Sequence, residues 1–419
     1  EAAERRRSGK GLNILYFSPF PSHPPSQGNR STILQFGKYF QQQGHKVHFA
    51  MVEKGDTYTP DDLVTMSNAW DSFTCIPCPP VMYVSGENLP FDAWYPEGLG
   101  EAIRELCLVK DIDIVFCSYI FQSRLLEFVP AHILKVIDTH DKMGNRYDMF
   151  RANGQPLEFF SCTPEDEGAY LCRADLVIAR RKEEADYFNE VSGRGTAIVI
   201  PHVEPPRFLS RPFDRMQNVG MVASANRINL ALMQEMLAAV EAGIGTEGNP
   251  PFTMHIAGYV KDMVDDLPAS QRALFQKPWV KMHGFVQDIG DFYAAMDAIV
   301  SPVTMGTGIN VKTVQAMAYG MPLLATQWGS KGIESDEPLH NHPDLASLAE
   351  SLFALAADPS RLQPLAAASR SRYARFYADS VAGFEIMFNH QKLRLAQPAT
   401  AARRHPGATA PVTSGELSC

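Results

Sequence analysis

Short apolar runs alternate with stretches of helical periodicity along the first half of the chain. The runs at residues 12–18 and 46–52 predict strands, and apolar positions three and four residues apart over 30–44 predict a helix between them. A strand, a helix and a second strand in succession form a βαβ unit, in which the two strands lie parallel in one sheet. The pattern continues, with strands predicted at 113–118, 134–138, 175–179 and 197–201 and helices at 98–109, 164–172 and 182–191. Because these strands are apolar throughout, we expect helices to cover both faces of the sheet.

Residues 201–217 interrupt this pattern with four prolines and no periodicity, which is typical of a linker. The alternation then resumes, with strands predicted at 219–223, 253–257, 280–284, 298–301 and 322–325 and helices at 229–242, 344–358 and 359–395. We therefore predict an α/β protein of two Rossmann-like domains facing a central cleft, where a ligand would bind. The N-terminal domain is predicted over 1–204, the C-terminal domain over 205–375, a helix returning to the N-terminal domain over 376–395, and a disordered tail over 396–419.

Composition and charge narrow the classes of function. Of the 419 residues, 45% are apolar and 20% are charged, which is an ordinary globular mixture and excludes a mainly disordered or fibrous chain. The net charge of -9 argues against nonspecific nucleic-acid binding, which needs a basic face to neutralise phosphates. No apolar run approaches the ~20 residues of a membrane-spanning helix, and no apolar stretch of a signal peptide follows the N-terminal arginines. We expect a cytoplasmic protein.

The seven cysteines are consistent with a reducing compartment. Cys75 and Cys78 have the Cys-x-x-Cys spacing of a redox or zinc site, but no second Cys-x-x-Cys pair and no histidine pair follows them. We therefore predict two unreactive structural thiols.

The segment from Ser301 to Pro322 (SPVTMGTGINVKTVQAMAYGMP) indicates a site for an anion. A predicted strand ends at Ser301, a Gly-x-Gly loop follows, and a helix is predicted to begin near Asn310 with Lys312 in its first turn. Glycines let backbone amides approach an anion closely, and a helix N-terminus carries partial positive charge. A lysine at this place opposes the helix dipole unless an anion is bound. A tight turn with an exposed lysine is the alternative interpretation.

This segment resembles the donor-site signature of the GT-B glycosyltransferases, in particular the retaining enzymes of family 4 (glycosyl transferases group 1). Other segments that resemble the family follow in the same order along the chain, at residues 12–30, 44–47, 173–179, 283–298 and 325–333. The resemblance extends over residues 12–385, and its strength comes from the shared order of the segments rather than from any single one.

The resemblance implies a nucleotide-sugar-dependent hexosyltransferase of polysaccharide biosynthesis. It implies that the C-terminal domain holds a UDP- or GDP-linked sugar and that a carbohydrate, lipid-linked or protein acceptor faces the N-terminal domain. It also implies no metal and no other cofactor, because basic side chains and a helix N-terminus neutralise the diphosphate. No nucleic-acid partner is expected, whereas peripheral membrane contact and the oligomeric state are left open.

The resemblance also implies roles for individual residues. His140 would lie beside the transferred sugar, and Lys312 and Arg227 would stabilise the leaving diphosphate, so these three are the predicted catalytic residues. The nucleotide sugar is expected to be bound by Gly28, Asn29, Gly306, Thr307, Gly308, Ile309, Asn310, Val311 and Gln315. Each assignment has a structural alternative, such as a loop histidine hydrogen-bonded to its neighbouring aspartates or a solvated loop arginine. Lys142 and Arg146 suggest an anionic acceptor or phosphate near His140.

Two positions depart from the family, which carries a pair of glutamates with seven residues between them. This chain has Thr307 at the first position and Gln315 at the second, where the family's glutamate binds the donor ribose. An amide carbonyl accepts a weaker hydrogen bond than a carboxylate does. The departures leave two other classes open: a non-catalytic subunit of the same fold that binds glycan or supports a partner transferase, and an epimerase or phosphorylase.

Overall fold

Two parallel β-sheets, each packed between helices, build the chain. The computed structural model describes residues 8, 10–25, 27–53, 58–79, 88, 90–154, 157, 159–244, 248–306 and 308–396. The strands are β1 (Asn13–Ser18), β2 (Lys46–Val52), β3 (Ser72–Ile76), β4 (Ile114–Ser118), β5 (Leu134–Asp138), β6 (Leu176–Ala179), β7 (Ala197–Val199), β8 (Asn218–Val222), β9 (Thr253–Ala257), β10 (Val280–Gly284), β11 (Ala298–Ser301) and β12 (Leu323–Ala325).

The α-helices connect successive strands and cover both sheets. They are α1 (Gly28–Gln42), α2 (Pro60–Ala69), α3 (Leu99–Val109), α4 (Arg146–Ala152), α5 (Pro164–Leu171), α6 (Lys182–Ser192), α7 (Arg227–Gly243), α8 (Val260–Asp265), α9 (Ala269–Arg272), α10 (Ile289–Ala295), α11 (Val311–Ala318), α12 (Leu345–Ala357) and α13 (Leu362–Ala396). Short 3₁₀ turns lie at Phe91–Trp94, Ile120–Glu127, Ala273–Gln276, Pro338–His340 and Pro359–Arg361.

The N-terminal sheet has the strand order β3-β2-β1-β4-β5-β6-β7, and all of its strands are parallel. Buried apolar side chains cover both of its faces, which explains the continuous apolar runs in the sequence. The order reverses between β1 and β4, so the loops that follow these strands diverge and leave a crevice at their carboxyl ends. The loop after β5, which carries His140, lies at the same edge of the sheet.

The C-terminal sheet repeats this arrangement with the order β10-β9-β8-β11-β12. Its order reverses between β8 and β11, so helices α7 and α11 both begin at the carboxyl edge beside the reversal. One buried cluster, from Phe213 to Phe376, forms the core of this half. The predicted fold class of two Rossmann-like domains facing a cleft is confirmed.

The long helix α13 contacts both halves of the molecule. Near its middle, Tyr373 donates a hydrogen bond of 2.6 Å to the backbone oxygen of Glu204 in the linker. Further along, Phe384 and Met387 are fully buried in a cluster with side chains of α1 and the N-terminal sheet. The ring of Phe384 lies 4.8 Å from that of Phe36 in an edge-to-face arrangement.

Several element boundaries differ from the sequence predictions. Helix α7 begins at Arg227, two residues before the predicted start, and the side chain of Asn226 caps it by accepting a hydrogen bond from the amide of Asn229. Strand β3 and helices α2, α4, α8, α9 and α10 were not predicted. Ala396, the first residue of the predicted tail, is the last residue of α13, and residues 397–419 lie outside the described residues. Within the described part of the chain, no helix is long and apolar enough to cross a membrane.

Candidate active site

A cavity of about 320 Å³ lies between the two domains, where the carboxyl ends of both sheets meet. The N-terminal domain lines it with residues that follow β1, β4, β5 and β6, and the C-terminal domain with residues that follow β8, β11 and β12. The lining includes Gly28, Asn29, Tyr119, His140, Asp141, Arg146, Arg180, Asn229, Gly306, Gly308, Ile309, Asn310, Val311, Lys312, Trp328 and Lys331. Both crevices created by the strand-order reversals therefore open into one space, which is the usual ligand position in such folds.

The Gly-x-Gly loop after β11 forms the floor of this cavity and needs its glycines. Gly306 and Gly308 have φ values of 144° and 70°, which side chains with a Cβ atom rarely adopt. A Cβ atom on Gly308 would also lie 2.8 Å from Oδ1 of Asp141 and 2.9 Å from the backbone oxygen of His140. The amide of Gly308 donates a hydrogen bond of 2.7 Å to Oε1 of Glu184. The loop is thus held against the N-terminal domain. Thr307, predicted in the donor site, lies outside the described residues.

Lys312 brings a half-buried positive charge to the start of α11. The side chain of Asn310 caps the helix by accepting hydrogen bonds from the amides of Lys312 and Thr313, at 3.0 and 3.4 Å. The Lys312 ammonium donates to Oδ1 of Asn229 at 3.1 Å, and no carboxylate pairs with it among the described residues. Burial lowers the pKa of Lys312 to about 8. An anion bound here would restore the charged form and offset its desolvation.

His140 lies across the cavity with its ring held by three partners. Its Nε2 atom lies 3.2 Å from Oδ2 of Asp138 and 3.3 Å from Oγ of Ser118, and its ring stacks on Tyr119 with 4.2 Å between centroids. The carboxylate of Asp138 favours the tautomer with hydrogen on Nε2, which leaves Nδ1 as a hydrogen-bond acceptor. Burial lowers the pKa of His140 to about 4, so the ring is neutral at physiological pH. Its φ of 58° is unusual for a non-glycine residue, and such strain is common at functional sites.

Three further basic side chains line the cavity, and of these only Arg146 was suggested from the sequence. Arg180 donates to Oδ1 of Asp138, and Arg146 lies 3.4 Å from Oδ2 of Asp141. The ammonium of Lys331 lies 3.5 Å above the ring of Trp328. Arg180 directly follows strand β6. Because ligands bind at the carboxyl ends of parallel strands, this position could have identified Arg180 from the sequence. Lysines and arginines outnumber the carboxylates of this lining, which favours an anionic ligand.

The structure brings most of the predicted donor-site residues together. Gly28, Asn29, Gly306, Gly308, Ile309, Asn310 and Val311 line the interdomain cavity with His140 and Lys312. Gln315, one helical turn beyond Lys312, lines an adjoining cavity of about 340 Å³ instead. A Cβ atom on Gly28 would lie 3.4 Å from Cγ2 of Val311, so the two domains meet at this glycine.

Arg227 does not join them. Its side chain is exposed in the first turn of α7, and it is not part of the cavity lining. The helix start predicted at residue 229 left Arg227 in a loop, whereas α7 begins at Arg227 and the side chain is exposed there. Nothing in the geometry of the cavity supports its predicted contact with a diphosphate, and Arg146, Arg180 and Lys331 supply the additional positive charge there.

The remaining candidates lie outside the cavity lining. The ammonium of Lys142 lies 3.8 Å from the ring of Tyr187. Cys75 and Cys78 are free thiols whose pKa values are raised by burial. Among the described residues, no three His, Cys, Asp or Glu side chains are grouped so that they could hold a metal ion.

Residues 217–358 match a family model described as glycosyl transferases group 1. No curated protein matches the chain in a direct sequence comparison.

Solved structures share the whole two-domain fold. HepE of Anabaena, solved in complex with UDP and glucose, has a TM-score of 0.64 at 16% identity over 90% of this chain and 99% of its own. A sucrose-phosphate synthase from Thermosynechococcus elongatus has a TM-score of 0.66 at 17% identity over 92% of this chain and 100% of its own. The structure of TarM has a TM-score of 0.64 at 10% identity over 90% of this chain and 99% of its own. At these identities the likeness establishes the fold.

Proposed function

We propose that this chain, a glycosyltransferase with a C-terminal domain of the group 1 type, transfers a hexose from a nucleoside diphosphate sugar to a glycan, lipid-linked or protein acceptor. We further propose that the product retains the configuration of the donor and that no metal takes part. UDP is the first choice of nucleotide, because HepE of Anabaena was solved with UDP-glucose and shares the fold.

The observation that carries this proposal is the half-buried ammonium of Lys312, which has no carboxylate partner among the described residues, in the interdomain cavity. Its hydrogen bond goes to the neutral amide of Asn229, so its charge is not compensated within the described part of the chain. Partial desolvation makes a charge without a counter-ion costly, and a diphosphate would supply the missing negative charge. Lys331, Arg146 and Arg180 lie around the same space and raise its attraction for an anion.

In the proposed reaction, the cavity residues act on the leaving group and on the sugar. The bond from the anomeric carbon to the diphosphate breaks as the acceptor hydroxyl attacks from the same face, and the hydroxyl proton passes to the departing diphosphate oxygen. Lys312 stabilises the charge that develops on the departing diphosphate, which is where preorganised charge has most effect. His140 accepts a hydrogen bond from a sugar or acceptor hydroxyl through Nδ1, because its Nε2 faces Asp138 and Ser118.

A panel of nucleotide sugars tests the proposal. Thermal unfolding and donor hydrolysis are measured with UDP-, GDP- and ADP-linked hexoses, each in the presence of a metal chelator. We expect one nucleotide to raise the melting temperature and its sugar conjugate to be hydrolysed, with no loss on chelation. Binding without turnover with any acceptor would instead favour the non-catalytic subunit, and turnover that requires free phosphate would favour a phosphorylase.

A further inference from the structure

The second cavity, of about 340 Å³, continues from the first one past the start of α11. Gly28, Ser224, Val311 and Lys312 line both spaces. A diphosphate held at Lys312 would therefore place its two ends in different cavities. The far wall of the second cavity carries Tyr259 and Phe285, whose rings stack with 4.9 Å between centroids, and Phe285 is 48% exposed. Exposed aromatic faces of this kind suit a planar base.

Glu204, in the linker between the domains, lines this second cavity. Its side chain is 2% exposed, yet its Oε2 atom has no hydrogen-bond partner among the described residues. The neighbouring His202 has its Nε2 atom 3.7 Å away, beyond hydrogen-bond distance. A buried carboxylate oxygen without a donor is costly, so a ligand that brings O–H groups would be bound favourably here.

The polar groups around Glu204 are already engaged with one another. Tyr293 donates its hydroxyl to Oε1 of Gln315 at 3.3 Å, and Tyr319 accepts a hydrogen bond of 3.2 Å from Arg207. Burial raises the pKa of both tyrosines, and the carboxylate of Glu204 raises each further, so its charge lies close to them. With its carbonyl in use, Gln315 offers the cavity mainly the two N–H donors of its amide.

We propose that Glu204 binds the vicinal hydroxyls of the nucleotide ribose, with the amide of Gln315 as a second contact. The two ribose hydroxyls donate to the carboxylate of Glu204, while the N–H groups of Gln315 donate to a ribose oxygen. A linker residue would thus supply the negative charge that is missing at position 315. The inference rests on the proposed function, since it assumes that a nucleoside diphosphate fills both cavities.

The test compares two ligands that differ only at the diol. Calorimetry measures the dissociation constants of UDP and of 2′,3′-dideoxyuridine diphosphate for the wild type, Glu204→Gln and the control Glu235→Gln, which changes an exposed glutamate of α7. We expect the wild type and the control to prefer UDP by about tenfold or more, as for hydrogen bonds to a charged group. In Glu204→Gln the preference for UDP over the dideoxy ligand is expected to fall below about threefold. The dissociation constant of the dideoxy ligand is expected to equal that of the wild type.

Other results would overturn the inference. A wild type that binds both ligands equally, or a Glu204→Gln variant that keeps the preference, removes the role of Glu204. The comparison of the two ligands in the wild type needs no variant, so it remains valid even if Glu204→Gln fails to fold. In that case Glu204→Asp replaces it, because the shorter side chain moves the carboxylate away from the ribose and keeps its charge. A wild type that binds neither ligand, nor GDP or ADP, refutes the proposed function itself.

Discussion

At the scale of single residues, the half-buried ammonium of Lys312 determines how nucleotide binding should depend on pH. Its pKa of about 8 means that the free protein loses this charge as the pH rises through that value. A bound diphosphate favours the ammonium and raises its pKa, so affinity is full below pH 8 and falls above it. We expect the dissociation constant for UDP to rise by up to about tenfold per pH unit above 8.

Titrations of UDP at several pH values between neutral and about 10 measure this effect. Lys312→Arg is the matched control, because its guanidinium stays charged over the whole range and should give a flat profile. A wild-type affinity that does not change with pH would contradict the assignment of Lys312 to the diphosphate.

His140 should affect turnover and leave nucleotide binding intact. The neutral ring contacts the sugar or the acceptor in our account, and Lys312 lies with the diphosphate. We expect His140→Ala to lower the rate of sugar transfer by about tenfold or more, the effect of one or two lost hydrogen bonds, with the UDP dissociation constant unchanged. Steady-state kinetics and calorimetry measure the two effects, with Lys142→Ala as a control outside the cavity lining. If His140→Ala weakened UDP binding as much as it lowered the rate of transfer, the contact of His140 with the sugar or the acceptor would be contradicted.

The sequence identified some of these residues and not others for a physical reason. Lys312, Asn310 and the two glycines lie in one continuous segment, so their spacing alone indicated an anion site. Arg180 and Lys331 belong to separate loops that only the fold brings together, and Glu204 was taken as part of a linker. Arg227 is exposed in the first turn of α7, and its predicted contact with a diphosphate stays a prediction.

At the scale of elements, the loop between β11 and α11 depends on Gly308. The positive φ and the close approach of His140 and Asp141 leave no room for a side chain. We expect Gly308→Ala to displace the loop and to lower kcat/KM by about tenfold or more, from the 1–2 kcal/mol of a strained backbone and the added clash. Gly154→Ala, at an equally positive φ but with nothing within 4 Å, is the matched control for backbone strain. Equal kinetics for both variants would contradict a role for loop position.

The elements that the sequence predicted are those with a strong apolar signal. Strands β2, β5, β9, β10 and β11 were predicted with the bounds that the structure shows. Most are rich in apolar residues, whereas β10 carries Lys281 and His283 at exposed positions. Strand β3 was missed because only Ile76 of its five residues is fully buried at this edge of the sheet. Helix α4 has only seven residues, which is too short for a clear period.

At the scale of the whole molecule, α13 couples the stability of the two domains. Phe384 lies on a helix that begins in the C-terminal half, and its ring fills the N-terminal core beside Phe36 and Phe40. We expect Phe384→Ala to lower the free energy of unfolding by about 3–5 kcal/mol, through the lost burial and the cavity left behind. Ile386→Ala, on the exposed side of the same helix, should have little effect. Chemical denaturation measures both, and equal stability of the two variants would contradict this packing.

Several contacts hold the two domains around the cavity. The carboxylate of Glu184 accepts a hydrogen bond from the amide of Gly308. Tyr147 and Phe150 of α4 pack with Met305 of the opposite domain. The cleft that the sequence predicted from two repeated α/β runs is therefore a defined space with charged walls. What the sequence could not supply was the closeness of the two walls, which depends on contacts between residues far apart in the chain.

Calorimetric titration of UDP into the wild type and into Lys312→Ala tests whether the protein binds a nucleoside diphosphate through Lys312. We expect the wild type to bind UDP and Lys312→Ala to bind about 30- to 150-fold more weakly, since a charge-assisted contact contributes about 2–3 kcal/mol. Lys281→Ala, an exposed lysine of the same domain, should bind like the wild type. A wild type that binds none of UDP, GDP and ADP at millimolar concentration, or a Lys312→Ala variant that binds as the wild type does, would contradict the account.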